Sequence, residues 1–158
     1  MQLRIMRFLA IAVSLFFVFA QWAGAEATRF DKVEYLPPKV EGQKRAGEPV
    51  KGHISFDKEK KVIEFQDDKN QTVVSVPYDK IKNMLYERTS KPRYAEAILI
   101  SPFFLFAKSK KHFLTIQYAD DTGAGRFCML HLDKGNARDI VNTAEADTGK
   151  SVERSEER

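Results

Sequence analysis

From Val50 onward the chain alternates. Val50, Gly52, Ile54 and Phe56 interleave with Lys51, His53 and Ser55, which is the period of two expected of a strand with one buried face. Asp57-Lys58-Glu59-Lys60 turns the chain, and Val62 to Gln66 forms a return strand. A second polar turn, Asp67-Asp68-Lys69-Asn70, leads to a third strand from Thr72 to Pro77, where proline must end the ladder or lie on an edge. Ile81 to Arg88 supplies a fourth strand. His112 to Tyr118 supplies a fifth, with Leu114, Ile116 and Tyr118 facing inward. Asp120-Asp121-Thr122-Gly123 is a tight hairpin signal before a sixth strand, Gly125 to Leu132.

The last element changes period. Asn136 is placed to cap a helix from Ala137 to Thr148, with Ile140, Val141, Ala144 and Thr148 on one side and Gly149 as the stop. Strands at this spacing with one closing helix predict a mainly β (α+β) domain: a small antiparallel barrel or sandwich of about six to seven strands.

The ends of the chain have other patterns. Met1 to Arg7 carries Arg4 and Arg7 and no acid, Phe8 to Ala20 is apolar apart from Ser14, and Ala23-Gly24-Ala25 follows. That is the three-part plan of a signal peptide over residues 1–25, cleaved between Ala25 and Glu26, and it implies an exported, periplasmic or secreted protein. An uncleaved N-terminal membrane anchor is the rival reading. Residues 26–49, with Pro37-Pro38, Gly42, Gly47 and Pro49 among mixed charges, read as an extended lead-in, from which Phe30, Val33 and Tyr35 offer short apolar docking points. Residues 50–150 form the domain, and 151–158 read as a frayed tail.

Composition narrows the function. The chain has 158 residues, 30% of them charged, and a formal net charge of +4, which falls to about +2 without Arg4 and Arg7. So small an excess does not suggest a nucleic-acid track. Cys128 is the only cysteine, so no internal disulfide can form, and its place among Leu130 and Leu132 predicts a buried thiol. The only tryptophan, Trp22, lies in the leader.

Chemistry-bearing residues are few. His53, His112 and His131 are flanked by ordinary strand residues, without the close spacing of a metal motif, so no metal or cofactor is expected. Asp67-Asp68 and Asp120-Asp121 fall in turns, where aspartate caps backbone amides. Gly123-Ala124-Gly125 belongs to a hairpin, with no helix after it to present a phosphate-binding terminus.

One segment stands apart. Residues 97–107, AILISPFFLFA, are apolar except for Ser101-Pro102. Arg88, Lys91 and Arg93 precede them; Lys108, Lys110 and Lys111 follow. Three roles compete: a cap that buries Leu99, Phe103 and Phe106, a docking patch for a protein partner, or a wedge that presses Phe103, Phe104 and Phe106 into an anionic membrane surface.

The phrase Val76-Pro77-Tyr78-Asp79-Lys80-Ile81, followed by Leu85-Tyr86-Glu87, resembles the third-to-fourth strand junction of GRAM and bacterial pleckstrin-homology-like (PH-like) domains. Lys110 to Ile116, with Tyr118, Asp120, Gly123 and the closing Thr148-Gly149-Lys150, resembles a group of exported bacterial PH-like proteins of unknown role. The resemblance covers residues 50–152 and implies a PH-like barrel closed by its helix, with no catalytic residue. Phosphoinositide recognition does not come with it, because Lys58, Lys60 and Lys61 are interleaved with Asp57 and Glu59 and the helix lacks a tryptophan. The expected role is therefore a non-catalytic binding or scaffolding module that recognises a protein or peptide in the cell envelope along a strand edge. The alternative is peripheral binding to anionic membrane through residues 97–107 and their basic flanks.

Overall fold

The computed structural model describes residues 27–38, 47–95 and 109–156. Eight strands form one sheet: β1 (Thr28–Leu36), β2 (Val50–Asp57), β3 (Val62–Asp67), β4 (Thr72–Pro77), β5 (Ile81–Thr89), β6 (Lys111–Ala119), β7 (Gly125–Leu132) and β8 (Val152–Glu156). A 3-10 turn, Tyr78–Lys80, separates β4 from β5, and helix α1 (Ala137–Thr148) precedes β8. The strand order is β4-β3-β2-β1-β7-β6-β5-β8. All neighbours are antiparallel except β5 and β8.

The six strands and the helix legible in the periodicity are all present, and Ala137–Thr148 has the expected bounds. Gly149 ends the helix at φ 68°, a left-handed conformation that glycine adopts without Cβ strain, and its N–H bonds the Glu145 carbonyl at 3.0 Å. Asn136 precedes α1, but its side chain does not cap it. Its Nδ2 donates instead to the Asp31 carbonyl at 2.6 Å and ties the helix start to β1.

Three expectations are corrected. First, residues 26–49 are not only a lead-in: Thr28–Leu36 is a central strand, paired to β2 on one side and β7 on the other. Val33 and Tyr35 do not merely dock; they are buried in the main core. A bulge between Phe30 and Val33, with Lys32 at φ 58°, interrupts the period of two and hid the strand. Second, residues 151–158 are not simply a frayed tail, because Val152–Glu156 pairs in parallel with β5. Third, the sheet is not a closed barrel; β4 and β8 are its two edges.

The sheet wraps around α1. The helix packs against both β2 and β8, third and last in the strand order, so the sheet must curl between them. Lys58, in the β2–β3 turn, reaches Asp147 at 3.1 Å on one side, while Arg154 of β8 reaches Glu145 at 2.6 Å on the other. Ile140, Val141 and Ala144 of α1 fill the concavity with Phe56, Phe65, Leu114, Ile116 and Leu130. Leu114 and Cys128 are buried as the alternation predicts, and burial pushes the Cys128 thiol up to about 12.

The opposite face is not uniformly wet. Leu36, Phe113 and Met129 form a second cluster there, with Tyr94 and Phe127 against it. On that face of β2, His53 is only 3% exposed, and its Nε2 lies 3.0 Å from Gln66 Oε1. A simple in-out alternation assigned His53 to solvent; a neighbouring side-chain partner lets it be buried. Gly52 is required where β2 meets β3, since a Cβ there would lie 1.9 Å from the Gln66 carbonyl oxygen.

Candidate functional site

The described residues separate three kinds of candidate: histidine-lined clefts, the basic flanks of residues 97–107, and the edges of the sheet. The three histidines do not converge. By strand parity His112 shares the concave face with Leu114, whereas His53 and His131 lie on the convex face. Each has its own partner: Gln66 for His53, Tyr86 Oη at 2.6 Å for His112 Nδ1, and Glu34 Oε2 at 3.0 Å for His131 Nδ1. Among the described residues, no three His, Cys, Asp or Glu side chains are grouped to hold a metal ion.

A cleft of about 550 Å³ opens on the convex face beside the β1 bulge. Its cations Arg29, Lys32 and Lys51 are interspersed with Asp31, Glu34, Asp68 and Asp133. The charges alternate too closely to select a ligand of one sign. A second cleft, about 430 Å³, lies between α1 and β8 and includes Tyr86, Arg138 and Arg154. Burial, with Glu156 nearby, raises the Tyr86 phenol above its usual value, while burial and Arg88 lower His112. Burial disfavours the charged form of each group, and the two form a close hydrogen-bonded pair at the cleft.

The paired aspartates serve turns, as expected. Asp67 Oδ1 accepts the amides of Lys69 and Gln71. Asp120 Oδ1 accepts those of Thr122 and Ala124, while its Oδ2 pairs with Arg126 at 2.8 Å. Thr122 and Arg126 hold the Asp120 carboxyl well below the usual range.

The basic flanks are brought together at one end of the sheet. Arg88 faces His112 and Thr89 faces Lys111 across the β5–β6 ladder, with Lys91, Arg93 and Lys110 beyond them. Arg93 is committed locally: its amide donates to Glu87 Oε2 at 3.0 Å and its guanidinium to Glu153 Oε1 at 3.1 Å. Phe103, Phe104, Phe106 and Lys108 lie outside the described residues, as do Ala25 and Glu26.

The sheet edges supply the feature that sequence reasoning did not single out. Every residue from Gln71 to Tyr78 is uncharged, and β4, THR-VAL-VAL-SER-VAL-PRO in sequence, lies within that run at the end of the strand order. Val73 is 41% exposed, the one large exposed hydrophobic side chain among the described residues. Tyr78 N donates to the Lys61 carbonyl at 2.9 Å, which fixes the phase of the β3–β4 ladder. Antiparallel bonding alternates, so Val74 and Val76 bond inward to Phe65 and Ile63, while the Ser75 amide and carbonyl point away from the sheet. Pro77 fits this phase, since its missing N–H also falls on the outward side. The signal was present in the sequence as an uncharged, β-branched run ending in proline, but edge position depends on strand order. Compared with known proteins, the chain matches no family model and no curated sequence.

Proposed function

We propose that this protein is an exported, non-catalytic, PH-like binding module that recognises an extended segment of an envelope protein or peptide by adding it as a strand beside β4. The observation that carries the reading is the outward-facing backbone of Ser75 on an uncharged edge with Val73 exposed. An incoming strand finds one backbone donor and one acceptor at Ser75, and it desolvates no charged side chain on β4. Natural sheets usually blunt such an edge with lysine, a bulge or inward charge; β4 bears no charge, while a register shift at Val73 and the closing proline confine its regular outer edge to Val74–Val76. The order of seven strands followed by a helix supports the PH-like part of the reading, and the N-terminal leader pattern supports export.

The test uses isotope-labelled protein titrated with ten-residue peptides, uncharged and β-branched, against charged peptides of equal length. Shifts of the Val73, Ser75 and Tyr78 amides on adding the uncharged set, abolished by Ser75→Pro, are the expected result. Shifts confined to the convex cleft or to the α1–β8 cleft would overturn it.

A further inference from the structure

One row beyond the core, the concave wall turns polar. Across β8, β5, β6 and β7 the ladders set Arg154, Tyr86, Leu114 and Leu130 in one row and Glu156, Arg88, His112 and Leu132 in the next. Tyr86, Arg154 and Glu156 line the cleft of about 430 Å³ together with Arg138, Val141 and Asn142 of α1. That is room for a small organic molecule. We propose that this cleft binds a small organic anion, whose oxyanion head meets the Arg138 guanidinium and the Tyr86–His112 pair while its body lies against the Tyr86 ring and Val141. The cleft is at the opposite edge of the sheet from β4, so its ligand and a strand added at β4 do not compete.

Charge selects the sign of the ligand. Arg154 is committed to Glu145 at 2.6 Å, and Glu156 has Arg88 as its ladder neighbour. Arg138 has no acid within ion-pairing distance among the described residues, so its fork of donors is left for a ligand. Asp139, the acid beside it in sequence, lies about 100° round the helix. Lys134, in the turn before α1, adds a further cation whose field reaches His112, as do those of Arg88 and His131; Glu156 alone opposes them there. The convex cleft differs, since its four carboxylates face three cations.

The Tyr86–His112 pair supplies the second contact. A neutral imidazole has one N–H and the phenol one O–H, and their mutual bond at 2.6 Å uses one of the two. Whichever tautomer is present, one donor remains, on His112 Nε2 or on Tyr86 Oη. Protonation of His112 adds another donor and a positive charge. A bound anion favours that protonated form, so its affinity rises as pH falls.

Nuclear magnetic resonance on the full-length chain tests this with benzoate and its uncharged analogue benzamide. Benzoate stays ionised between about pH 5.5 and about pH 8, so any pH dependence belongs to the protein. The expected result is a saturable shift of the His112 ring signals at about 1 mM benzoate, with benzamide leaving them in place. Arg138→Ala weakens binding about tenfold while the thermal midpoint stays unchanged, because the side chain is exposed and holds no partner in the fold. Affinity rises roughly threefold from pH 8 to pH 5.5, and His112→Gln removes that rise. Arg138→Ala keeps the test readable whatever His112→Gln does to the fold. Silence of His112 up to about 20 mM benzoate overturns the inference, as does equal binding of benzamide or a benzoate site indifferent to Arg138→Ala. Shifts confined to His53 and His131 overturn it too, since those rings lie on the convex face.

Discussion

The two edges of this sheet are opposites. β8 is short and charged, and it is stitched to its surroundings: Arg154 grips Glu145 through two nitrogens, Glu145 Oε1 accepts the Val152 amide at 2.8 Å, and Glu153 meets Arg93. β4 is uncharged, β-branched and exposed, and no side chain on it pairs with a charge. Both edges carry unpaired backbone on their outer side, yet only β8 bears the charges by which sheets discourage further pairing. The contrast teaches that edge position alone does not mark a docking strand. What the edge carries decides it.

The centre of the sheet sets the scale for both edges. Leu114→Asp, in a fully buried position between β5 and β7, places an unpaired carboxylate in the main core and is expected to cost more than about 4 kcal/mol. Urea denaturation checks this, and an unchanged midpoint would refute the facing of β6. A smaller loss, about 3 kcal/mol, is expected of Val152→Asp, because Val152 is 4% exposed and fills the gap between α1 and β5. An unchanged urea midpoint there would mean that β8 is an ornament and not part of the fold, which would remove one side of the comparison.

The same two strands show what the sequence can and cannot reveal. β2 to β7 and α1 were legible because their buried residues recur at fixed periods, and Leu114, Cys128 and Ile140 sit where that period places them. β1 was hidden because one extra residue at its bulge shifts the register between Phe30 and Val33. β8 was hidden because only Val152 of its five residues is buried, and one apolar residue makes no pattern. Its order comes from backbone pairing with β5 and from Glu145, both remote in sequence. The edge at β4 depends on strand order, which is a property of the whole chain. The three histidines illustrate the converse: residue identity suggested a set, and strand parity divides it between two faces.

A subtler effect is expected at the charged edge. Hydrogen bonds from Arg154, then from the Val152 amide, hold the Glu145 carboxyl below its usual range. A carboxylate whose folded value is depressed stabilises the fold above its unfolded value, about pH 4.3, and loses that contribution as pH falls through the folded value. Arg154→Ala should therefore melt below the parent at pH 7 by a few degrees at most, since the pair is partly exposed, and the gap should narrow below about pH 4. Thermal melts at pH 7 and pH 3 measure it. A gap that widens at pH 3 would show that Arg154 acts through something other than Glu145.

The smallest change in stability falls on the open edge, and it is the most discriminating. In the phase fixed by the Tyr78 amide and the Lys61 carbonyl, the Ser75 N–H bonds nothing within the sheet, so Ser75→Pro is expected to shift stability by no more than about 0.5 kcal/mol. Val74→Pro, one residue away, removes a donor to β3 and is expected to cost about 2 kcal/mol. The two prolines differ only in which side of the strand loses its donor, so propensity and proline's unfolded-state entropy largely cancel between them. Equal losses would mean that both amides are engaged in the fold, and β4 would then offer an incoming strand nothing to bond. A near-neutral Ser75→Pro beside a costly Val74→Pro leaves the Ser75 donor pointing to solvent, where only a partner strand would use it.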